Sequence, residues 1–298
     1  MPKSKLTAQK KVPKAETITN PKEWIFEGFG FGKGRTLAIK VKKRLASVRS
    51  PFQKIDVIES EAYGTMMLID GAVQFTDADE FTYHEMLAHV PINVKKTVEN
   101  VLIVGGGDGG VAREVLKYPS VRNVDLCDID KKVTDLSKKY FPGIACAFKD
   151  SRLHVFHEDG FAFLDSKRNE YDIIIVDSTD PVGFAENLFK KGFFQKVSDS
   201  LKPDGIMTNQ LESMFYNPDI ISKTLGRIRS VFPIAEYYYT MTPTYPSGTI
   251  GFSFASKRFN PKIDYNPKKM RGSTRYYNRR IHYASFCLPE FARKLTEE

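Results

Sequence analysis

The most constraining stretch of the chain is Asn100-Val-Leu-Ile-Val104, followed at once by Gly105-Gly106-Gly107-Asp108-Gly109-Gly110 and then by Val111 to Lys117. An apolar run that stops at a glycine turn and resumes with helical spacing reads as a strand feeding a helix. Gly105, Gly107 and Gly110 satisfy the GxGxxG spacing, where small residues let the backbone turn sharply and approach a nucleotide at the sheet edge. The pattern recurs downstream: strand Asn123 to Cys127, helix Lys131 to Tyr140, strand Leu153 to Phe156, a helix near Phe161, and the strand Asp172-Ile-Ile-Ile-Val-Asp177. Strands alternating with helices at this spacing predict a parallel sheet covered on both faces.

The texture upstream is different. Thr36-Leu-Ala-Ile-Lys-Val-Lys42 alternates apolar and charged residues, as a half-buried strand does, and Phe52 to Ile58 and Thr65 to Gly71 repeat the theme. Gly28 to Gly34 (GFGFGKG) reads as a loop or turn, and Glu80 to Val90 as a helix leading onward. Residues 1–22 are polar, carry Pro2, Pro13 and Pro21, and show no apolar period. The predicted organisation is a flexible basic arm over 1–22, a small antiparallel β domain with its linking helix over 23–95, and an α/β catalytic domain over 96–298.

Composition narrows the function classes. The net charge of +9 suggests a polyanion partner, but residues 1–22 supply +5 of it and leave only +4 for the other 276 residues. A second basic cluster, Lys268-Lys269-Met270-Arg271 with Arg275, Arg279 and Arg280, comes without a nucleic-acid motif, so it reads as solvated surface. No apolar run has the length of a membrane span and the lysine-rich start lacks a signal-peptide core, so no membrane and a cytoplasmic location are expected. Cys127, Cys146 and Cys287 are odd in number and form no CxxC pair, which argues against a disulfide framework or a zinc cluster. His84 and His89 are five apart, not four as in HExxH, so no metal is expected.

The acids near the glycine turn suggest what it binds. Asp128, 18 residues past Gly110, ends the next strand, where a carboxylate can accept both hydroxyls of a ribose. Asp108 inside the turn would repel a pyrophosphate, whereas it would attract a sulfonium nucleoside carrying an ammonium group. The turn therefore fits an S-adenosyl compound better than NAD. Asp159-Gly160 after the third strand fits either an adenine contact or a helix N-cap, and the spacing leaves both open. Likewise, Asp177 and Asp180 in Asp177-Ser-Thr-Asp-Pro181 could cap a following helix.

Taken with other motifs, these residues resemble the spermidine synthase family of polyamine aminopropyltransferases. The likeness is carried by Leu68-Ile-Asp-Gly-Ala-Val-Gln74, Asp79-Glu-Phe-Thr-Tyr-His-Glu-Met86, the turn at 105–110 and Asp177-Ser-Thr-Asp-Pro181. It continues through Gln210-Leu-Glu-Ser213, Pro243-Thr-Tyr-Pro-Ser-Gly248, Tyr276-Tyr-Asn278 and a tail from Ala284 to Arg293. It runs from about Trp24 to Arg293, nearly everything except the arm. The resemblance implies a Rossmann-like, methyltransferase-type, parallel-rich sheet with helices on both faces, a homodimer or homotetramer, and small-molecule substrates without a resident cofactor.

It also implies roles for particular residues. The donor would be decarboxylated S-adenosylmethionine, a co-substrate, with Asp108 on its aminopropyl ammonium, Asp128 on the ribose and Asp159 with Gly160 near the adenine. Gln53, Tyr83, His84, Gly105, Gly107 and Ile129 would complete the donor site. Asp180, Gln210 and Tyr245 would lie near an acceptor diamine such as putrescine, and Asp177 would be the catalytic carboxylate. Three positions depart from the family pattern: Asp128 where Glu is common, Phe184 where Pro is usual, and the GFGFGKG segment. Rival readings are another acceptor (spermidine, agmatine or cadaverine), an N-methyltransferase on the same scaffold, and a basic binding protein. Asp108 argues against methyl transfer, because ordinary S-adenosylmethionine would bring a carboxylate against it.

Overall fold

In the computed structural model, which describes residues 18–28, 34–179 and 183–296, the alternating N-terminal segments pair into a five-stranded antiparallel sheet. Its strands are β1 (Trp24–Glu27), β2 (Leu37–Arg49), β3 (Lys54–Ser60), β4 (Gly64–Ile69) and β5 (Ala72–Thr76), neighbours in that order. β5 was not read from sequence, although its signal was present. Asp70 and Gly71 take φ of 48° and 88°, a two-residue reversal that Asp-Gly adopts readily. One face of this sheet, with Ile55, Val57, Met67 and Phe75, packs on Val133 and Leu136 of a helix in the larger domain. Pro21–Glu23, at the end of the predicted arm, form a 3-10 turn capped by Asn20. Residues 1–17 of that arm and 29–33 of the glycine-rich loop lie outside the described residues.

The second sheet has seven strands: β6 (Asn100–Gly105), β7 (Asn123–Cys127), β8 (Leu153–Phe156), β9 (Tyr171–Asp177), β10 (Leu201–Gln210), β11 (Ile234–Met241) and β12 (Thr249–Ser256). Their order is β11-β12-β10-β9-β6-β7-β8, with β6 to β10 mutually parallel and β12 antiparallel to both its neighbours. From β6 the chain moves outward through β7 and β8, then returns to place β9 on the other side of β6. The strand order therefore reverses between β6 and β9, and ligands of such sheets bind beyond the carboxyl ends of the strands at that point.

Helices α1 (Glu80–Ile92), α2 (Gly110–Leu116), α3 (Lys131–Tyr140), α4 (Gly160–Phe163), α5 (Lys191–Ser200), α6 (Pro218–Arg229), α7 (Arg279–Ala284) and α8 (Glu290–Thr296) complete the fold. Ile103, Ile173 and Ile175 enter a core shared with α1 and α2. Their neighbours Leu102, Ile174 and Val176 enter another core with Phe193, Phe194 and Val197 of α5. Burial on both faces is why these strands read as unbroken apolar runs. The chain is thus α/β, with a Rossmann-like, parallel-rich sheet preceded by an antiparallel β domain.

Two local findings differ from the sequence reading. The helix near Phe161 is one turn, α4, continued by a 3-10 turn at Leu164–Ser166. The linking helix α1, grouped above with the N-terminal domain, is built into the larger core, and every residue in it except Phe81 is buried. Thr208 Oγ1 donates to the Leu87 carbonyl (3.2 Å) and Tyr238 to that of Met86 (3.3 Å). Glu80, His84, Glu85 and His89 disguise this burial in the sequence, because buried charges need partners that only the fold supplies. Among the described residues no helix is long and apolar enough to cross a membrane.

Candidate active site

The glycine turn exists to let two strand ends and two carboxylates meet. Gly105 sits at φ +83°, directly beside Asp177 in the β6–β9 register, and a Cβ there would lie 2.0 Å from the Asp177 carbonyl oxygen. The Gly106 N–H donates to that same carbonyl at 2.9 Å. Gly107 then donates to Asp128 Oδ2 at 2.9 Å, an approach that leaves no room for a side chain. A Gly105→Ala substitution is therefore expected to destabilise the fold by more than the roughly 1–2 kcal/mol that left-handed backbone alone costs. Thermal melting would read this as a drop in Tm, and an unchanged Tm would contradict the contact.

Beyond this turn lies a cavity of about 370 Å³, bounded on one side by the larger sheet and on the other by the N-terminal domain. Every site residue named from sequence lines it except Asp180, which lies outside the described residues; the Phe184 side chain is likewise not described. Gly105, Gly107, Asp108, Asp128, Ile129, Asp159, Gly160 and Asp177 come from the ends of β6, β7, β8 and β9 and the turns after them. Tyr83 and His84 enter from α1, Gln210 from the end of β10, and Tyr245 from the β11–β12 connection. Gln53 enters from the N-terminal domain, its amide donating to Asp130 Oδ2 (3.0 Å), which also accepts from Ser50 (2.6 Å). Asp159 is an N-cap after all, accepting from Phe161 N (2.7 Å) and Ala162 N (3.3 Å), and it lines the cavity in the same position.

The electrostatics are those of crowded, half-buried acids. Burial pushes Asp177 up to about 7, and the nearby Asp108 pushes the same way, against His84 and the Tyr83 hydrogen bond. Tyr83 donates to Asp177 Oδ1 at 2.7 Å; burial, reinforced by that carboxylate, holds its phenol well above the ordinary range and hence neutral. Asp177 Oδ2 is buried and accepts no hydrogen bond among the described residues. Burial also raises Asp128 to about 6, although the Asp130 and Gly107 N–H groups favour its charged form. Asp108 Oδ1 accepts from the Gly110 N–H (2.6 Å) and faces His84 Nε2 at 3.4 Å. His84 is itself raised to about 9: burial opposes its charge, but Asp108 and Glu80 outweigh burial.

At the β10 end, Tyr245 stands edge-on to Tyr83 with ring centroids 6.1 Å apart, and its hydroxyl donates to the Gln74 carbonyl. Glu27 of β1 and Glu212 also line the cavity, both buried, and neither was singled out from sequence. Glu212 stands in Gln210-Leu-Glu-Ser213, a motif read only for its glutamine. It takes φ +46°, a conformation uncommon for a residue with a side chain, and is held by Tyr237 on its carbonyl (3.0 Å) and Asn217 on its carboxylate. Glu27 had no local signal, since only the pairing of β1 with β2 brings it to the cavity.

His84, Asp108 and Asp177 offer possible ligand atoms within 4.8 Å of one another, a spacing that a cation could exploit. The upward shift of His84 favours a cationic ring beside these two carboxylates. An arrangement of this kind can hold a cationic ligand against Asp108 while Asp177 accepts a proton.

Comparison with known proteins gives a consistent family. Residues 80–267 match the spermine/spermidine synthase domain, and residues 23–77 match the spermidine synthase tetramerisation domain. A polyamine aminopropyltransferase of Leptospira biflexa is 46% identical over 271 residues, covering 91% of this chain and 96% of that protein. Spermidine synthase of Schizosaccharomyces pombe is 43% identical over 280 residues, covering 92% and 94%. Among solved structures, a spermidine synthase in complex with the transition state analogue AdoDATO superposes with a TM-score of 0.89 at 39% identity, covering 92% of this chain and 94% of that one. The spermidine synthase of Thermotoga maritima superposes at 0.86 and 38%, with the same coverage.

Proposed function

The chain belongs to the spermine/spermidine synthase family of polyamine aminopropyltransferases, and from that premise we propose that it moves the aminopropyl group of decarboxylated S-adenosylmethionine onto putrescine. The products are spermidine and 5′-methylthioadenosine. The observation that carries this reading is the meeting of Asp108 and Asp177 on one buried cavity at the point where strand order reverses. Two carboxylates there suit two cationic substrates.

The reaction is a direct displacement. The lone pair of a primary amine attacks the propyl carbon bonded to the sulfonium; the C–S bond breaks and its electrons remain on sulfur as a neutral thioether. That leaving group needs no acid, metal or cofactor. The nucleophile is the obstacle, because an alkylamine has a pKa of about 10 and is mostly protonated at neutral pH. Asp177, whose pKa burial raises to about 7, would take the proton, with Tyr83 fixing one of its oxygens and the other accepting no hydrogen bond among the described residues. Asp108 would hold the donor ammonium and Asp128 the ribose. Tyr245, Gln210 and Asp180 would hold the diamine, and Glu27 and Glu212, which also line the cavity, would attract its second ammonium.

The decisive assay supplies the decarboxylated donor with a panel of amines and identifies products by mass. Putrescine is expected to give the highest kcat/KM. A clear preference for spermidine, agmatine or cadaverine would replace the acceptor, and methyl transfer from ordinary S-adenosylmethionine would replace the reaction class. We also read the N-terminal sheet as the region through which copies of the chain assemble, given its match to a tetramerisation domain.

A further inference from the structure

From His84 and Asp108 in the cavity lining, a chain of buried and half-buried ionic groups runs back to Glu80 and Arg113, which lie outside that lining. Arg113 of α2 forks onto Glu80, with Nη1 to Oε1 at 3.0 Å and Nη2 to Oε2 at 2.8 Å, and its Nε donates to Glu114 at 2.8 Å. Glu80 Oε2 in turn lies 2.6 Å from His84 Nδ1, and His84 Nε2 faces Asp108 at 3.4 Å. A neutral imidazole has one N–H and one lone pair, so it cannot present a donor to a carboxylate on each side. A ring with carboxylates at both nitrogens is an imidazolium. Gly110 permits this placement, since a Cβ there would fall 2.3 Å from the His84 ring.

We infer that Glu80, outside the cavity, is a positioning residue for the proposed reaction: it holds His84 as an imidazolium turned toward Asp108, so that one cation serves both half-buried carboxylates, Asp108 and Asp177. Arg113 fixes the direction of the Glu80 carboxylate and balances its charge. The inference rests on Asp177 being the base of the proposed transfer. Without the imidazolium, Asp108 and Asp177 would face each other uncompensated, and Asp177 would keep its proton at neutral pH. The charged groups around His84 are Glu80 on its own helix, Arg113 on α2, Asp108 in the glycine turn and Asp177 at the end of β9; Tyr83 beside it is neutral, and Asp128 adds negative charge near Asp177. The direction of the His84 and Asp177 shifts agrees with this placement.

The test compares the wild-type enzyme with the double variant Glu80→Gln/Arg113→Met, which keeps the buried charge balanced. In both, kcat is measured across pH with donor and acceptor saturating. In the wild type kcat rises as Asp177 loses its proton. In the variant that acidic limb is expected to move up by about one pH unit, the size of effect an opposite charge at this range produces, with kcat recovering above the new limb. A variant that is slow at every pH, or a limb that stays in place, overturns the inference. A second measurement needs no variant: the His84 ring, followed by NMR in labelled wild-type protein, is expected to stay protonated from pH 6 to 8, where histidine ordinarily titrates near about 6.5. Titration of His84 at the ordinary value overturns the inference regardless of how the variant folds. Wild-type enzyme without any aminopropyl transfer would instead defeat the functional reading, leaving the ring titration to decide the charge placement.

Discussion

Replacing Asp177 by Asn is expected to lower kcat by about 10³-fold, the usual worth of a general base, while the protein stays folded. Asn has the same shape and can still accept the hydrogen bond from Tyr83, so the wall of the cavity should survive. Stability should not fall. Folding raises the Asp177 pKa to about 7 from an ordinary value of 3.8, so its contribution to stability is present at low pH and is lost as pH rises toward and through about 7. Above that value the ionised side chain works against folding, and Asn carries no such charge. Saturation kinetics and a thermal melt at pH 8 check both halves. A variant with near-normal kcat would remove Asp177 from the chemistry, and one with a sharply lower Tm would make its role structural.

Replacing Asp108 by Asn is expected to raise the KM for the decarboxylated donor by about 100-fold, as loss of a charged hydrogen bond worth roughly 1.5–3 kcal/mol would do. The change in kcat should be far smaller, since Asp108 is assigned to holding the ammonium rather than to moving a proton. Discrimination should relax as well. Ordinary S-adenosylmethionine carries a carboxylate beside its ammonium, and a half-buried like charge at position 108 repels it. Binding of both donors to the variant, measured by calorimetry, is expected to show the two affinities drawing closer. Equal donor affinity in wild type and variant would leave Asp108 without its proposed ligand.

The two substitutions separate cleanly because the fold separates the two acids by origin. Asp108 belongs to the turn after β6 and Asp177 to the end of β9, and they meet only because these strands are hydrogen-bonded neighbours. The local identity of each could be read from the chain. An apolar run ending in glycines is a strand meeting a turn, and an acid inside that turn selects for a cation; both statements need only neighbouring residues. The resemblance spread over several motifs supplied the family in the same way, because each motif is a contiguous string. The Asp70-Gly71 hairpin was equally legible, and was missed only because the flanking strands are short.

Other features depended on contacts between distant segments. Nothing near Glu27 marks it as a cavity residue. The alternation that makes β1 a strand says which residues share a face, not what that face meets. Nothing in the sequence near Glu80, Arg113 and Glu114 marks them as partners, yet in the fold Glu80 and Glu114 are buried and the half-buried Arg113 pairs with both. α1 looked like a linker for the same reason.

The sequence alone determined the strand–turn–helix order and the charge at position 108, since these follow from covalent neighbours and backbone preference. The tertiary structure decided which acids share a cavity, which charges are buried, and therefore which carboxylate can hold a proton near neutral pH. Desolvation and Coulomb interaction depend on distances through space, and only packing sets those distances.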